Sequence, residues 1–528
     1  MLHRISSSDK IKQTKAICKA HVARSRENKR VPLELFNTLS GKLETLSPIG
    51  APELRMYACG PTVYDYGHIG NFRTFLHVDV LRRFIKQLGM RVNHVMNITD
   101  VDDKIIRNAA AAKLSMADYT QKFENAFFED MHSLSIEFPE HLPRATAHIP
   151  EMVSLIERLA SKDFAYQAED GSWYFRIAKD ADYGKLAKKD LEAIEDGARV
   201  DLDEYDKDAA RDFALWKAVK AAPDGTQEPS WPTALGAGRP GWHIECSAMA
   251  TSLLGDSFDL HAGGEDLMFP HHENEIAQSE SASGTTFARH WMHVRFLLVE
   301  GRKMSKSEGN FYTLRDLLLK GYRASAIRML LISVPYRHQL NFTFDGLTQS
   351  TNAIERLRTF HQRILKGTWP PEGTNAPLSA SISASQAAYT AALSNDLNTA
   401  DALSAIFDMV RSVNSAADSN TLYHAEADAA LNVLALFDQV FAVLEDNDAD
   451  LTRAALAWAE REGRLDQADP SLIATLSLSD AAIEALIADR ALAKKQRNFA
   501  KSDAIRNDLL AKGILLKDGP TGTEWSRK

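Results

Sequence analysis

Leu54-Arg55-Met56-Tyr57-Ala58-Cys59-Gly60-Pro61 begins the stretch that decides the fold. Asn71-Phe72-Arg73-Thr74-Phe75-Leu76, running on to Leu88-Gly89, and Val92-Asn93-His94-Val95-Met96-Asn97-Ile98 complete it. Residues 54–59 read as a short strand stopped by the Gly60-Pro61 break. From Asn71 to Leu88 the apolar residues Phe72, Phe75, Leu76, Val80, Leu81, Phe84 and Leu88 recur at helical spacing. Gly89 ends that helix, and Val92–Ile98 reads as the next strand. Strand, helix and strand at this spacing form a βαβ unit, hence an α/β fold with a parallel sheet covered by helices. Ligands of such sheets bind beyond the carboxyl ends of the strands. Cys59 lies at one such end and Thr99-Asp100 at the next.

Outward from this unit the texture changes. Between about 150 and 236, mixed charge, short strand-like pieces such as Ser172–Ile177 and loops rich in Gly, Pro and Asp read as an insertion. Parallel-sheet texture returns around Trp242 to Glu275. Residues 287–350 hold a lysine-rich loop and a helical stretch, and Trp369-Pro370-Pro371-Glu372-Gly373 reads as a surface loop. Alanine- and leucine-rich helical patterns fill most of 380–465. A basic helix is expected over about 484–512, then Gly513, a strand at Ile514–Leu516 and a turn at Gly519-Pro520.

The composition is that of a globular protein: 45% hydrophobic and 25% charged among 528 residues, with no apolar run long enough to cross a bilayer. The net charge of −9 does not suggest a nucleic-acid binder, so any such role rests on local basic patches. Three cysteines cannot build a disulfide framework, and they fit a reducing, cytoplasmic compartment. The first thirty residues carry nine Lys or Arg against two acids. A basic tail fits them better than an organelle-targeting peptide, because no cleavage site or apolar face accompanies the charge.

Two motifs point to a nucleotide. Gly67-His68-Ile69-Gly70-Asn71 lies between the first strand and the helix, where unpaired N–H groups and the helix dipole favour phosphate. His68 and Asn71 add side-chain donors, and Gly70 permits close approach of a nucleotide to the backbone. Alone this could be a plain strand-to-helix turn. The second is Lys303-Met304-Ser305-Lys306-Ser307, whose lysines could neutralise a departing pyrophosphate, although Lys-x-x-Lys is more often a solvated loop.

A third constellation concerns a metal. Cys246, in Trp242-His243-Ile244-Glu245-Cys246, is followed 25 residues later by His271, in His271-His272-Glu273-Asn274-Glu275. On a helix His271 and Glu275 are i and i+4 neighbours. With the thiolates of Cys59 and Cys246 they offer two sulfurs, a nitrogen and an oxygen, a set suited to Zn²⁺. The residues alone leave this open, since lone cysteines are mostly buried apolar groups and a polar run can be a solvated helix face. A zinc-peptidase His-Glu-x-x-His pattern fails, because residue 276 is Ile.

The two nucleotide motifs, in this order, resemble the signatures of class I aminoacyl-tRNA synthetases, with Asn71 where that class has a final histidine. Asparagine still donates a hydrogen bond but cannot titrate. The runs Tyr57–Asp65, Gly241–Ser247 and Phe269–Glu275 resemble the cysteinyl-tRNA synthetase family, and the likeness extends from about residue 31 to the C-terminus. The resemblance implies zinc held by Cys59, Cys246, His271 and Glu275, with the substrate thiolate as an added ligand. It also implies a cysteine pocket lined by Thr99 and Trp242, and an ATP site of His68, Gly70, Asn71, Gly264, Asp266 and Lys306. Catalysis then falls to His68, Asn71, Lys303 and Lys306, with Mg²⁺ accompanying ATP and no side-chain nucleophile. An apolar pocket separates similar small side chains by only ~1–3 kcal/mol. A thiolate, by contrast, is a far better zinc ligand than an alcohol, so metal selection makes a proofreading domain unnecessary.

The architecture this implies is a Rossmann-like catalytic domain with an insertion, an α-helical bundle and a small mixed α/β C-terminal domain. The expected division is a basic extension (1–30), the first catalytic half (31–149), a connective insertion (150–236) and the second catalytic half (237–287). A stem-contact region with the lysine loop (288–350), a tRNA-binding bundle (351–465) and an anticodon-binding domain (466–528) follow. The substrates implied are ATP, L-cysteine and tRNA(Cys), and the chain is expected to be a monomer.

Residues 490–528 carry ten Lys or Arg against four acids, which suits a phosphate-tracking face as well as a solvated one. By resemblance, Phe499, Asp503 and Asp518 meet the anticodon, and Lys494 stands where an arginine is expected, losing the bidentate fork. Two rival readings share much of this. A mycothiol-pathway cysteine ligase would keep the catalytic half but has little reason for the basic tail. A non-catalytic tRNA-binding paralogue would tend to lose a metal ligand or the lysine loop, and neither is missing.

Overall fold

A computed structural model describes residues 32–50, 53–188, 212–219, 228–476, 478, 480–519 and 522–527. The basic extension read at 1–30, with Cys18, and part of the expected insertion lie outside these residues.

The decisive stretch folds as read. Strand β3 (Glu53–Ala58, after the hairpin of β1, Glu34–Asn37, and β2, Lys42–Thr45) is followed by a helix over Ile69–Gln87 and by β4 (Arg91–Met96). The helix buries Phe72, Leu76, Val80, Leu81 and Phe84 against the sheet. Strand β3 pairs in parallel with β4 on one side and with β9 (Phe258–Gly264) on the other, and β9 pairs in parallel with β10 (Ala288–Val294). The sheet order is β10-β9-β3-β4, so the chain winds away from β3 in both directions. The crevice at such a reversal, beyond the carboxyl ends of β3 and β9, is where open α/β sheets bind ligands. β10 carries the parallel layer to Val294, past the boundary expected at 287. Its Arg289, His290 and His293 hide a buried strand from a search for apolar runs.

The insertion contributes an antiparallel sheet of β5 (Ala165–Gln167), β6 (Trp173–Phe175), β7 (Phe213–Ala218) and β8 (Gly238–Pro240). β8 delivers the chain directly into the helix Trp242–Leu254. Gly241 is obligatory at that junction, because a Cβ there would stand 2.0 Å from the Ala214 carbonyl oxygen. β11 (Leu297–Val299), β12 (Arg302–Lys303) and β13 (Leu340–Phe342) carry the lysine loop. Helices Phe344–Lys366, Ala376–Ser394, Thr399–Asp418, His424–Phe441 and Asp448–Arg461 form the bundle.

The C-terminal region departs from expectation. Instead of one basic helix over 484–512 there are two, Asp480–Lys495 and Phe499–Ala511. Arg497 has a left-handed backbone (φ 60°), and the Asn498 side chain accepts the Lys501 N–H to cap a new helix. Strands β14 (Ile514–Gly519) and β15 (Gly522–Arg527) form a hairpin behind them. Ile483, Ile487, Leu509 and Ile514 make a small separate core.

Candidate active site

Cys59 follows β3, where its N–H donates to the Ala262 carbonyl of β9 at 3.1 Å. Gly60 comes next because a Cβ there would meet the Asn97 carbonyl oxygen at 1.7 Å. Cys246 sits in the first turns of the helix Trp242–Leu254. His271 lies after the extended Phe269 (φ −140°, ψ 129°), in the turn that leads into the helix Glu273–Ser283, so its i, i+4 relation to Glu275 survives although it precedes the regular helix.

These four residues, from three separate segments, converge. The Cys59 and Cys246 sulfurs are 4.0 Å apart, Cys59 Sγ lies 3.6 Å from Glu275 Oε1, and His271 Nε2 lies 3.1 Å from the same oxygen. One ligand atom from each falls within 4.8 Å of all the others, and all four residues are buried. A buried cluster of two sulfurs, one imidazole and one carboxylate is a donor set that zinc satisfies. A second combination, Cys59 with His261, His272 and Glu275, meets the same distance criterion. Its histidines are engaged no more than His271 is: His261 Nε2 lies 2.9 Å from Glu275 Oε2, and His272 bonds His293 Nε2 through Nδ1 at 2.8 Å while its Nε2 faces Cys59 Sγ at 3.3 Å. What favours the first combination is its second sulfur, thiolates being strong zinc ligands.

Protons hold the cluster together. The hydrogen bond from Cys59, working against burial, brings Cys246 down to about 6. Burial pushes the Cys59 thiol well above its usual value. Burial also opposes a charged His271, but Cys246 and then Glu275 outweigh it and raise the imidazole to about 10. Glu275 is held down to about 2, burial being overcome by His261 and His271. A divalent metal would take up the thiolate and the carboxylate directly and would displace the proton of the imidazolium, which ligates only when neutral.

Thr99 is buried beside the cluster, where its hydroxyl donates to Glu245 Oε2 and accepts from Asn97 Nδ2, both at 3.1 Å. Trp242 is 38% exposed, with its ring centroid 4.2 Å from that of His271, so it forms an open wall over the cluster.

The two nucleotide motifs, more than 230 residues apart, also meet. His68 caps the helix Ile69–Gln87 in a reciprocal box: His68 Nδ1 accepts the Asn71 N–H at 3.2 Å and Asn71 Oδ1 accepts the His68 N–H at 3.1 Å. Because Nδ1 is an acceptor, the ring proton sits on Nε2, and burial lowers the pKa so that the ring is neutral at physiological pH. The helix-start amides expected to face phosphate are partly used, since Asn71 N–H goes to His68 and Ile69 N–H to the Tyr312 carbonyl at 3.0 Å. The Gly70 N–H, His68 Nε2–H and the Asn71 side-chain amide therefore remain as donors for an anion. A Cβ on Gly70 would lie 2.9 Å from His68 Nδ1 and 3.4 Å from Met304 of the lysine loop. Lys306 Nζ lies 5.1 Å from the centre of Phe311, whose edge meets the His68 ring. Lys303 ends β12 and is exposed. Gly264 ends β9, where a Cβ would crowd Asp266 Oδ1 at 2.4 Å.

Farther away, Phe499 (61% exposed) and Asp503 lie on the helix Phe499–Ala511. Asp518 on β14 is gripped by Arg490 in a two-pronged pair at 2.8 and 2.9 Å and by Lys494 at 2.9 Å. Arg490, which sequence reasoning passed over, is buried and spends its own fork on Asp518. The histidines 243, 261, 272 and 293, Glu245 and Asp65 were also missed, as nothing in their local spacing marks them.

Residues 45–352 match the family described as tRNA synthetases class I (C) catalytic domain, and residues 388–445 match the DALR domain. The chain is therefore a class I aminoacyl-tRNA synthetase, an enzyme. Its fold agrees with Mycobacterium tuberculosis methionyl-tRNA synthetase solved with methionyl-adenylate, at a TM-score of 0.53 and 17% identity over 78% of this chain and 92% of that one. It is 55% identical to the cysteine–tRNA ligase of Koribacter versatilis over 94% of this chain and 100% of that protein. Identity to the Solibacter usitatus cysteine–tRNA ligase is 51% over the same shares. Within its class the chain belongs to the cysteine–tRNA ligase family. Among the described residues no helix is long and apolar enough to cross a membrane.

Proposed function

We propose that this chain forms cysteinyl-adenylate from ATP and L-cysteine and transfers the cysteinyl group to tRNA(Cys), selecting cysteine through zinc held by Cys59, Cys246, His271 and Glu275. The observation that carries this reading is the convergence of those four ligand atoms within 4.8 Å, at the sheet crevice that the two nucleotide motifs also border. Zinc bound there supplies a coordination position that a substrate thiolate fills and an alcohol does not.

The chain's own groups do the rest. Trp242 and Thr99 shape the space beside the cluster, so that the amino acid's carboxylate is aimed toward the His68 turn. His68 Nε2–H and the Asn71 amide stabilise charge on the α- and β-phosphates as that carboxylate attacks, and Lys303 and Lys306 neutralise the departing pyrophosphate with Mg²⁺. Gly70, Gly264 and Asp266 border the nucleotide. A hydroxyl of the 3′-terminal ribose then takes the acyl group. We read residues 351–465 as the tRNA-binding bundle and 466–528, with Phe499, Asp503 and Asp518, as the anticodon reader. The chain acts as a monomer in the cytoplasm.

Metal content measured together with charging by cysteine and by serine tests this. One zinc per chain and strong preference for cysteine are expected, with both lost in Cys246→Ala and His271→Ala. Intact metal content and discrimination in either variant would refute the ligand assignment.

A further inference from the structure

We propose that Asp65 is a positioning residue that holds Lys306 against the His68 turn before nucleotide arrives and yields it to the triphosphate. Asp65 lies three residues before His68, on the loop leading into the phosphate-facing helix. Its carboxylate is oriented by the chain itself: Oδ1 accepts the Tyr66 N–H at 2.8 Å, which leaves Oδ2 directed outward. Lys306 Nζ donates to that oxygen at 2.7 Å.

The body of the lysine loop is fixed independently. Asn310, buried, accepts the Ser305 N–H with Oδ1 at 2.9 Å and donates from Nδ2 to the Lys303 carbonyl at 3.0 Å. The Lys306 side chain projects from this fixed backbone, and Asp65 sets where it rests. That rest position is next to the anion site, since the ammonium also lies over Phe311, which touches His68.

The pair is built to be given up. Lys306 and Asp65 side chains are 66% and 39% exposed, and ion pairs so exposed to solvent hold weakly. A triphosphate brings several charged oxygens to the same place and outcompetes a single carboxylate. Asp65 therefore acts as an internal competitor with ATP for Lys306, keeping the lysine near its destination at a small cost in nucleotide affinity.

This inference rests on the nucleotide reading of the His68 turn and lysine loop. The test is calorimetric binding of Mg·ATP, and separately of inorganic tripolyphosphate, to the zinc-loaded full-length protein without cysteine, so that no turnover occurs. Asp65→Asn keeps the acceptor for Tyr66 N–H and removes the charge together with the oxygen that Lys306 uses. It should tighten both ligands roughly two- to five-fold, the range expected of an exposed pair. In a Lys306→Ala background the same substitution should change neither. Unchanged or weaker binding in Asp65→Asn, or equal tightening with Lys306 absent, would overturn the proposal. If the unaltered protein bound no ATP at all, the nucleotide reading itself would fall, and this one with it.

Discussion

Exchange of protons for metal at the Cys59–Cys246–His271–Glu275 cluster should make zinc affinity steeply dependent on pH. Without metal and near neutral pH, Cys246 and Glu275 are anionic, His271 carries a proton, and Cys59 is a thiol. Zinc held by these four residues needs both thiolates, the carboxylate and a neutral imidazole. Loading therefore expels two protons, one from Cys59 and one from His271. The formal charge of the cluster is −1 before and after, two protons being replaced by one divalent ion. The window follows from the same groups: it opens above about 6, where Cys246 is already a thiolate, and persists until His271 loses its proton near 10. Across it, the apparent affinity should rise about 100-fold per pH unit, or about 2.7 kcal/mol. Competition with a chelator of known affinity at pH 6.5, 7.5 and 8.5 measures the slope. Calorimetry in buffers of different ionisation enthalpy counts the protons directly. A slope of one or less, or fewer than about two protons released per zinc, would refute this account of the metal-free cluster.

Three further outcomes are expected. X-ray absorption of the zinc-loaded protein should show two sulfur ligands near ~2.3 Å; one sulfur would favour the combination containing His261 and His272 instead. Asn71→Ala should slow cysteine-dependent pyrophosphate exchange by about 10²-fold through loss of an anion donor, with a loss of about 1 kcal/mol of stability from the missing bond between Asn71 Oδ1 and the His68 N–H; unchanged exchange would remove Asn71 from the site. His94 is buried, and burial and then Arg82 hold it at about 3, with neither ring nitrogen hydrogen-bonded. Below pH 6.5 the unfolded chain binds this proton more readily than the folded one, so His94 should cost about 2 kcal/mol of stability by pH 5. Denaturant unfolding of His94→Leu should show a correspondingly flatter acid limb, and equal limbs would count against the reading.

The fold was legible where one face of an element repeats its apolar residues. Phe72, Leu76, Val80 and Phe84 announce a helix because a surface helix must bury one stripe, and the helix found differs from that reading by two residues at its start and one at its end. β10 was not legible, because Arg289, His290 and His293 interrupt its apolar residues, His290 facing the Leu35 carbonyl and His293 bonding His272 and Thr38. The break at Arg497–Asn498 was missed because the residue with the left-handed backbone is an arginine rather than the usual glycine.

By itself, the order of residues determined the βαβ start, the two nucleotide motifs and a short list of metal-capable side chains, for these depend on local periodicity and residue type. Which of those side chains meet was decided only by the tertiary structure. Cys59, Cys246 and the His271–Glu275 pair lie on separate segments, and the parallel sheet brings them to one crevice because β3 and β9 are neighbours in space though some 200 residues apart. The pairing of Asp65 with Lys306 and of Asp518 with Arg490 has the same origin, since charge finds its partner by distance, which chain spacing does not encode.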